Sequence, residues 1–285
     1  MGIALTGVGF TYLPGTPMAR EVLASLDIDL NSGEILCLMG RTGVGKSTLI
    51  NVMCGLLRAT GGEIALDGEN VGSSREGGRA LREAVGILMQ SSEKQVFAET
   101  VQRDVAFGPR NRGLKGDGLR RRVFEAMLAV GLEPEAFASR SPFSLSEGEM
   151  RRVALAGVLA LRPRYLLLDE PSSGLDLPGR ELLHRVLNDL RSDGVGILLV
   201  THDWDEVEAL ADRIAVLSDK HIVLQGEKEK VITALAELER TGLRPPPVIS
   251  VLAELRDRGL ELPPYASSPA AAAALIAEAM GRSRG

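Results

Sequence analysis

The sequence predicts an α/β protein: a sheet core, an antiparallel β subdomain beside it, a helical subdomain inserted into it, and a helical C-terminal tail. Three observations predict this. Four short apolar runs, at 34–39, 85–89, 166–168 and 196–200, each stop at a glycine or polar residue, as buried strands do at the ligand-binding edge of an open α/β sheet. The first run enters a glycine-rich loop, after which Leu49, Val52, Met53 and Leu56 fall at helical spacing. Before that run, apolar residues alternate at period two, which is the pattern of half-buried strands.

In chain order, Ile3, Leu5, Val8 and Phe10, then Leu26, Ile28 and Leu30, flank a turn at Pro14-Gly15-Thr16-Pro17. With Glu63-Ile64-Ala65-Leu66, closed by Asp67-Gly68, they form the antiparallel piece. Tyr12 stands just ahead of the turn, placed either to stack on a base or simply to pack as a tyrosine.

The loop Gly40-Arg41-Thr42-Gly43-Val44-Gly45-Lys46-Ser47-Thr48 matches G-x-x-x-x-G-K-[ST], the phosphate-binding P-loop, in the strand–loop–helix setting that motif requires. Glycines let backbone N–H groups curl around an anion, and the helix N-terminus adds unpaired donors. Lys46 then reaches the β- and γ-phosphates, and the Ser47 hydroxyl ligates Mg²⁺. The chain is expected to bind a nucleoside triphosphate.

Residues 71–78 read as a loop, followed by a short helix through Leu81 and Ala84 and a strand ending at Gln90. An amide on a strand end suits coordination of Mg²⁺ or a water, and equally a solvated loop. From 91 to about 163 the periodicity is helical. Thr100 is expected to cap a helix bearing Val101 and Val105 and stopping before Pro109. Residues 113–118 read as a loop, and Val123, Met127, Leu128 and Val130 mark a helix closed by Gly131.

Leu166-Leu167-Leu168-Asp169-Glu170 has the Walker B pattern, in which Asp169 holds Mg²⁺ through water and Glu170 polarises an attacking water. The strand at 196–200 ends at Thr201-His202-Asp203, which places His202 for the γ-phosphate; Asp203 and Glu206 read as a capping box. His184 and His221 read as surface residues. A hairpin through Ile214–Leu217 and His221–Leu224 precedes the tail. In the tail, Val248, Val251, Leu252 and Leu255 make a stripe, and alanine-rich 270–280 is helical by propensity. The expected division is an ATPase domain over 1–225 and a C-terminal extension over 226–285, a candidate dimer contact.

A net charge of −5 argues against retention on nucleic acid by bulk electrostatics. No charged-then-apolar leader is visible, and no run approaches the roughly 20 apolar residues of a membrane span, so a cytoplasmic protein is expected. Cys37 and Cys54 lie near the P-loop without clustered histidines and read as reduced core thiols.

The P-loop and Walker B pair alone leave a kinase, a GTPase or a DNA-repair ATPase open. Ser144-Leu145-Ser146-Glu147-Gly148-Glu149-Met150-Arg151-Arg152 resembles the L-S-G-G-Q signature of ABC-type ATPases. Gln90 matches that family's Q-loop, Ser173-Gly174-Leu175-Asp176 its D-loop, His202 its switch histidine and Tyr12 its base-stacking aromatic. The runs at 95–101, 104–111 and 151–160 are similar to the ATPases of energy-coupling factor transporters, and the Pro14–Pro17 turn, at 14–17, to their second, A-prime type.

The resemblance implies a P-loop NTPase core of the RecA-like type, bound ATP and Mg²⁺, and catalysis by Glu170 with His202. It implies Ser146, Gly148 and Asp176 acting on the site of a second ABC ATPase, in a hetero- or homodimer. It further implies a transmembrane coupling subunit, a membrane subunit that captures a vitamin or metal ion, no nucleic acid, and a peripheral place on the cytoplasmic face. Another ABC importer, or a soluble ABC ATPase, is the alternative. One departure stands out: Glu147 and Glu149 replace the first glycine and the glutamine of the signature.

Overall fold

The computed structural model describes residues 1–72 and 74–282. Ser73, within the loop expected at 71–78, and the tail's last residues 283–285 lie outside them. The strands are β1 (Gly2–Tyr12), β2 (Arg20–Asn31), β3 (Ile35–Met39), β4 (Gly61–Leu66), β5 (Glu69–Asn70), β6 (Val85–Leu88), β7 (Tyr165–Asp169), β8 (Gly196–Val200), β9 (Arg213–Ser218) and β10 (His221–Glu227). Helix α1 (Lys46–Met53) follows β3, and α2 (Arg75–Ala84) precedes β6. Between β6 and β7 come α3 (Val101–Asn111), α4 (Gly116–Ala129), α5 (Pro134–Phe137) and α6 (Glu147–Leu159). Then follow α7 (Leu177–Ser192), α8 (Trp204–Leu210), α9 (Lys228–Ile232), α10 (Leu235–Arg240), α11 (Pro247–Asp257) and α12 (Pro269–Arg282). None of the described helices is long and apolar enough to cross a membrane.

Two sheets form. The first is antiparallel, in the order β2-β1-β4-β5, and the second runs β10-β9-β3-β8-β7-β6. In the second, β9, β3, β8, β7 and β6 are mutually parallel and β10 pairs antiparallel with β9. The carboxyl ends of β3, β6, β7 and β8 therefore lie along one edge, where an open α/β sheet receives its ligands.

Period-two geometry divides the core. Ile35, Cys37 and Met39, with Leu166, Leu168, Ile197 and Leu199, pack toward the helices on one face. Leu36, Leu38, Leu167, Leu198 and Val200 pack with α1 and the antiparallel sheet on the other. Every residue of β3, β7 and β8 is buried, which explains why these strands read as continuous apolar runs. Both cysteines are buried and free; burial pushes the Cys54 thiol up to about 11 and Cys37 further still. A small separate cluster of Leu252, Leu262, Ala266 and Ala272 joins α11 to α12.

Several local expectations are corrected. Helix α3 continues through Pro109, which costs it the bond to the carbonyl four residues back but leaves only two helical residues beyond it, and the proline is buried. Helix α1 ends at Met53, leaving Leu56 exposed, and Leu128 and Val251 are exposed beside their stripes. Helices α2 and α4 begin inside the segments expected as loops, α2 capped by Ser74, whose hydroxyl accepts from Gly77 N. The Asp203–Glu206 capping box does not form: the Asp203 carboxylate accepts from Asp205 N, while Glu206 is buried with neither carboxylate oxygen hydrogen-bonded. His184, expected at the surface, is half-buried, with Nε2 3.9 Å from Glu206 Oε1.

Candidate nucleotide-binding site

At the end of β3 the chain turns sharply. Gly40 has φ 151° and Gly45 φ 118°. A Cβ on Gly40 would lie 2.4 Å from Leu217 O, and one on Gly45 2.9 Å from Val22 Cγ1, so only glycine lets the loop close. Gly45 is the N-cap of α1 and offers it no side-chain cap, and no acidic residue occupies the first turn. The N–H groups at that end remain available to an anion. Lys46 Nζ donates to Gly40 O at 2.7 Å and Arg41 O at 3.1 Å, curling its ammonium into the loop. Burial lowers the Lys46 pKa, against the opposing pull of Glu170 and Asp169.

Ser47 Oγ donates to Asp169 Oδ2 at 2.7 Å, joining the first turn of α1 to the end of β7. Desolvation raises the Asp169 pKa, and the Ser47 hydrogen bond opposes it. A hydroxyl and a carboxylate in contact are a hard-oxygen donor pair suited to a small divalent cation. Glu170, at φ 49°, donates its backbone N–H to Val200 O at 3.0 Å. Its carboxylate accepts from Gln90 Nε2 at 3.1 Å and lies 3.3 Å from His202 Nδ1. Three strand ends are thus tied at one carboxylate. Tyr12 is partly exposed at 40%, packs edge-on against Phe10, and shares a 3.2 Å hydrogen bond with Thr48 Oγ1. Tyr12, Lys46, Ser47, Gln90, Asp169, Glu170 and His202 line one cleft of about 410 Å³ together with Thr42, Gly43, Gly45 and Thr48, whereas Gly40, Arg41 and Val44 of the predicted loop do not line it.

Ser146, Gly148 and Asp176 do not line that cleft. Ser146 is the N-cap of α6 and Asp176 that of α7, where its carboxylate accepts from Gly179 N at 3.0 Å. Gly148 lies in the first turn of α6, facing Leu175.

A family model described as "ABC transporter" matches residues 23–173. The energy-coupling factor transporter ATP-binding protein EcfA2 of Clostridium acetobutylicum is 40% identical over 249 residues, 87% of each chain. The protein of the same name from Symbiobacterium thermophilum is 43% identical over 246 residues, 86% of this chain and 85% of its own. The chain belongs to the ABC transporter ATPases. Among solved structures it is similar to cbiO1 from Clostridium perfringens, part of the ABC transporter complex cbiONQ, with TM-score 0.73, 33% identity, and coverage of 88% of this chain and 98% of that one. The ATP-binding cassette MJ0796, in a dimeric post-hydrolysis state bound to ADP and Pi, matches with TM-score 0.71 and 28% identity over 79% of this chain and 98% of its own.

Some residues of this ABC ATPase were not legible in its motifs. Arg20 and Val22 line the cleft; Arg20 pairs with Tyr12 across the β1–β2 register, a neighbour that correct hairpin pairing would have revealed. Buried Arg151 donates to Pro171 O at 3.1 Å, to Gln90 O at 3.5 Å and to Ser173 O. It therefore clasps the backbone just after Glu170 to the carbonyl of Gln90 beyond β6. The tail also touches the P-loop and the helix after His202: Trp204 Nε1 donates to Arg244 O at 2.7 Å, and a Cβ on Gly242 would lie 3.2 Å from Arg41 Cδ.

Proposed function

We propose that this chain is the ATP-hydrolysing subunit of an energy-coupling factor importer, driving uptake of a vitamin or transition-metal ion from the cytoplasmic face of the membrane. The observation that carries the reading is the convergence of Lys46, the Ser47–Asp169 pair and the Gln90–Glu170–His202 cluster on one sheet edge. Lys46 and the P-loop N–H groups hold the β- and γ-phosphates of ATP, and Tyr12 stacks on the base. Ser47, Gln90 and Asp169 would hold Mg²⁺, which would supply neutralisation of phosphate charge when bound. Glu170 is the base that orients and deprotonates the attacking water. Gln90 and His202 fix its carboxylate, and His202 also answers to the γ-phosphate.

Two such ATPases pair head to tail, so that Ser146, Gly148 and Asp176 complete the partner's site. The dimeric state of the MJ0796 cassette supports that arrangement. A transmembrane coupling subunit docks on the groove of about 290 Å³ between core and helical insertion, lined by Phe97, Phe107 and Leu161. A further membrane subunit captures the substrate. The test is affinity purification of the tagged chain from membranes. Recovery with a second ABC ATPase and a polytopic subunit, in a complex that hydrolyses ATP, is expected. A lone ATPase in the soluble fraction, binding no membrane protein, would overturn the reading.

A further inference from the structure

The two helix N-termini that bear nucleotide motifs are finished in opposite ways. That of α1 carries neither a capping side chain nor an acid in its first turn. That of α6 is closed by its own Glu149. Ser146 N donates to Glu149 Oε2 at 2.8 Å, Ser146 Oγ donates to the same oxygen at 2.9 Å, and Glu149 N donates back to Ser146 Oγ at 3.3 Å. A serine hydroxyl can donate one hydrogen bond, and here it is given to the Glu149 carboxylate. Glu147 is placed differently: it leans toward Arg151, Oε1 to Nη2 4.0 Å, and over Gly174, where an added Cβ would stand 3.3 Å from its Oε1.

We infer that Glu149 is a built-in anion that competes with the partner's nucleotide for Ser146, making the site that this signature completes the weaker of the pair. The inference rests on the head-to-tail reading proposed above. For Ser146 to donate to a phosphate oxygen, its hydroxyl must break its hydrogen bond to Glu149. Glu149 then either swings away, abandoning the cap, or stays as a like charge within a few ångströms of the phosphate. Either course opposes closure on the partner's nucleotide. The two Ser146 donors, with smaller help from the charges of Arg140 and Arg152, hold the Glu149 carboxyl below the usual carboxylate range. Glu149 does not line this chain's own cleft, so its effect falls on one site of the pair. A glutamine at this position keeps the cap through a neutral amide oxygen, which holds Ser146 more weakly than a carboxylate does, and removes the charge.

The test uses the complex of this chain with its partner ATPase, photolabelled with azido-ATP so that each chain reports occupancy of its own P-loop site. Glu149→Gln and Glu149→Ala are both expected to lower the ATP-analogue concentration for half-labelling of the partner by about tenfold, with this chain's own labelling as internal reference. If glutamine behaves as glutamate while alanine lowers labelling and melting temperature together, Glu149 is a helix cap and nothing more, and the inference is overturned. Ser146→Arg, which blocks the signature outright, separates the two claims. It should weaken labelling of the partner. If it does while Glu149→Gln changes nothing, the inference alone fails; if even Ser146→Arg leaves the partner unaffected, the head-to-tail reading fails with it.

Discussion

Gln90 Nε2 donates to Glu170 Oε2 at 3.1 Å, across 80 residues of sequence. The ends of β6 and β7 are adjacent because those strands pair in parallel register, Leu88 opposite Leu168. Movement of the segment after β6 is thus felt directly by the proposed base. Glu170→Gln should retain ATP binding and lose about 10²–10⁴-fold in hydrolysis, while Lys46→Ala should lose binding itself. Single-turnover hydrolysis in a complex whose other site is silenced separates these, and near-normal turnover by Glu170→Gln would remove that residue from the mechanism.

Arg151 should matter as much as any motif residue. Its guanidinium joins the Pro171 carbonyl, next after Glu170, to that of Gln90 from a buried position, and lysine lacks the planar fork that reaches them together. Arg151→Lys is expected to cost about 1–3 kcal/mol of stability by stranding buried carbonyls. It should also lower kcat more than it raises KM for ATP. Urea titration and steady-state kinetics check this; a variant of full activity would show the clasp to be passive.

The two sheets are tied by Arg213, whose guanidinium reaches Asp29 at 2.8 Å and Glu34 at 3.1 Å. The Arg213 hydrogen bond holds the Asp29 carboxyl below its usual range despite partial burial. A depressed folded-state pKa gives stability that is full above the unfolded carboxylate value, about pH 4, and lost as pH falls further. Acid unfolding of Arg213→Met should therefore be less steep below about pH 4 than that of the wild type, the difference vanishing once Asp29 is protonated. Parallel acid-unfolding curves for the two chains would contradict this.

The candidate cleft was legible because the residues proposed for it sit at strand ends, where an apolar run stops abruptly, and because glycines 40 and 45 mark a positive-φ turn that a Cβ would obstruct. Arg151 and Arg20 were not legible as site residues, because their roles depend on long-range pairing that no local period encodes. The exposed sides of the stripes misled in the same way: Leu128 and Val251 fit helical spacing, yet only the tertiary partner decides which edge of a stripe is covered. Glu206 failed through competition, since the carboxylate expected to cap α8 is buried near His184 instead.

Docking of a membrane partner is testable at the start of α3. Phe97 and Phe107 stack edge-on at 4.8 Å and are 57% and 48% exposed, beside the exposed Glu99–Arg103 ion pair. An exposed aromatic pair flanking an apolar groove is an economical anchor for a partner helix. Glu99→Cys and Arg103→Cys should crosslink to the coupling subunit in intact membranes, and Phe97→Ala should weaken co-purification. Crosslinks confined to the tail beyond residue 226 would place the contact elsewhere.

The tail turn at 241–244 offers the last test, because it touches the P-loop and the helix after His202 at once. Gly242, at φ 75°, leaves room for Arg41: a Cβ there would lie 3.2 Å from Arg41 Cδ. Gly242→Val adds strain and pushes on the P-loop, whereas Gly259→Ala, at φ 92° with nothing within 4 Å of its added Cβ, adds strain alone. Each should lower the melting temperature by a few degrees, since a strained residue costs on the order of 1–3 kcal/mol. Only Gly242→Val should also raise the ATP Kd severalfold, because only it displaces a nucleotide-loop side chain. Trp204→Phe, which deletes the N–H given to Arg244 O, should move in the same direction with a smaller effect, about 1 kcal/mol of stability for one hydrogen bond. Equal ATP affinities for Gly242→Val and Gly259→Ala, measured by calorimetry on folded protein, would show that the tail rests on the P-loop without influencing it.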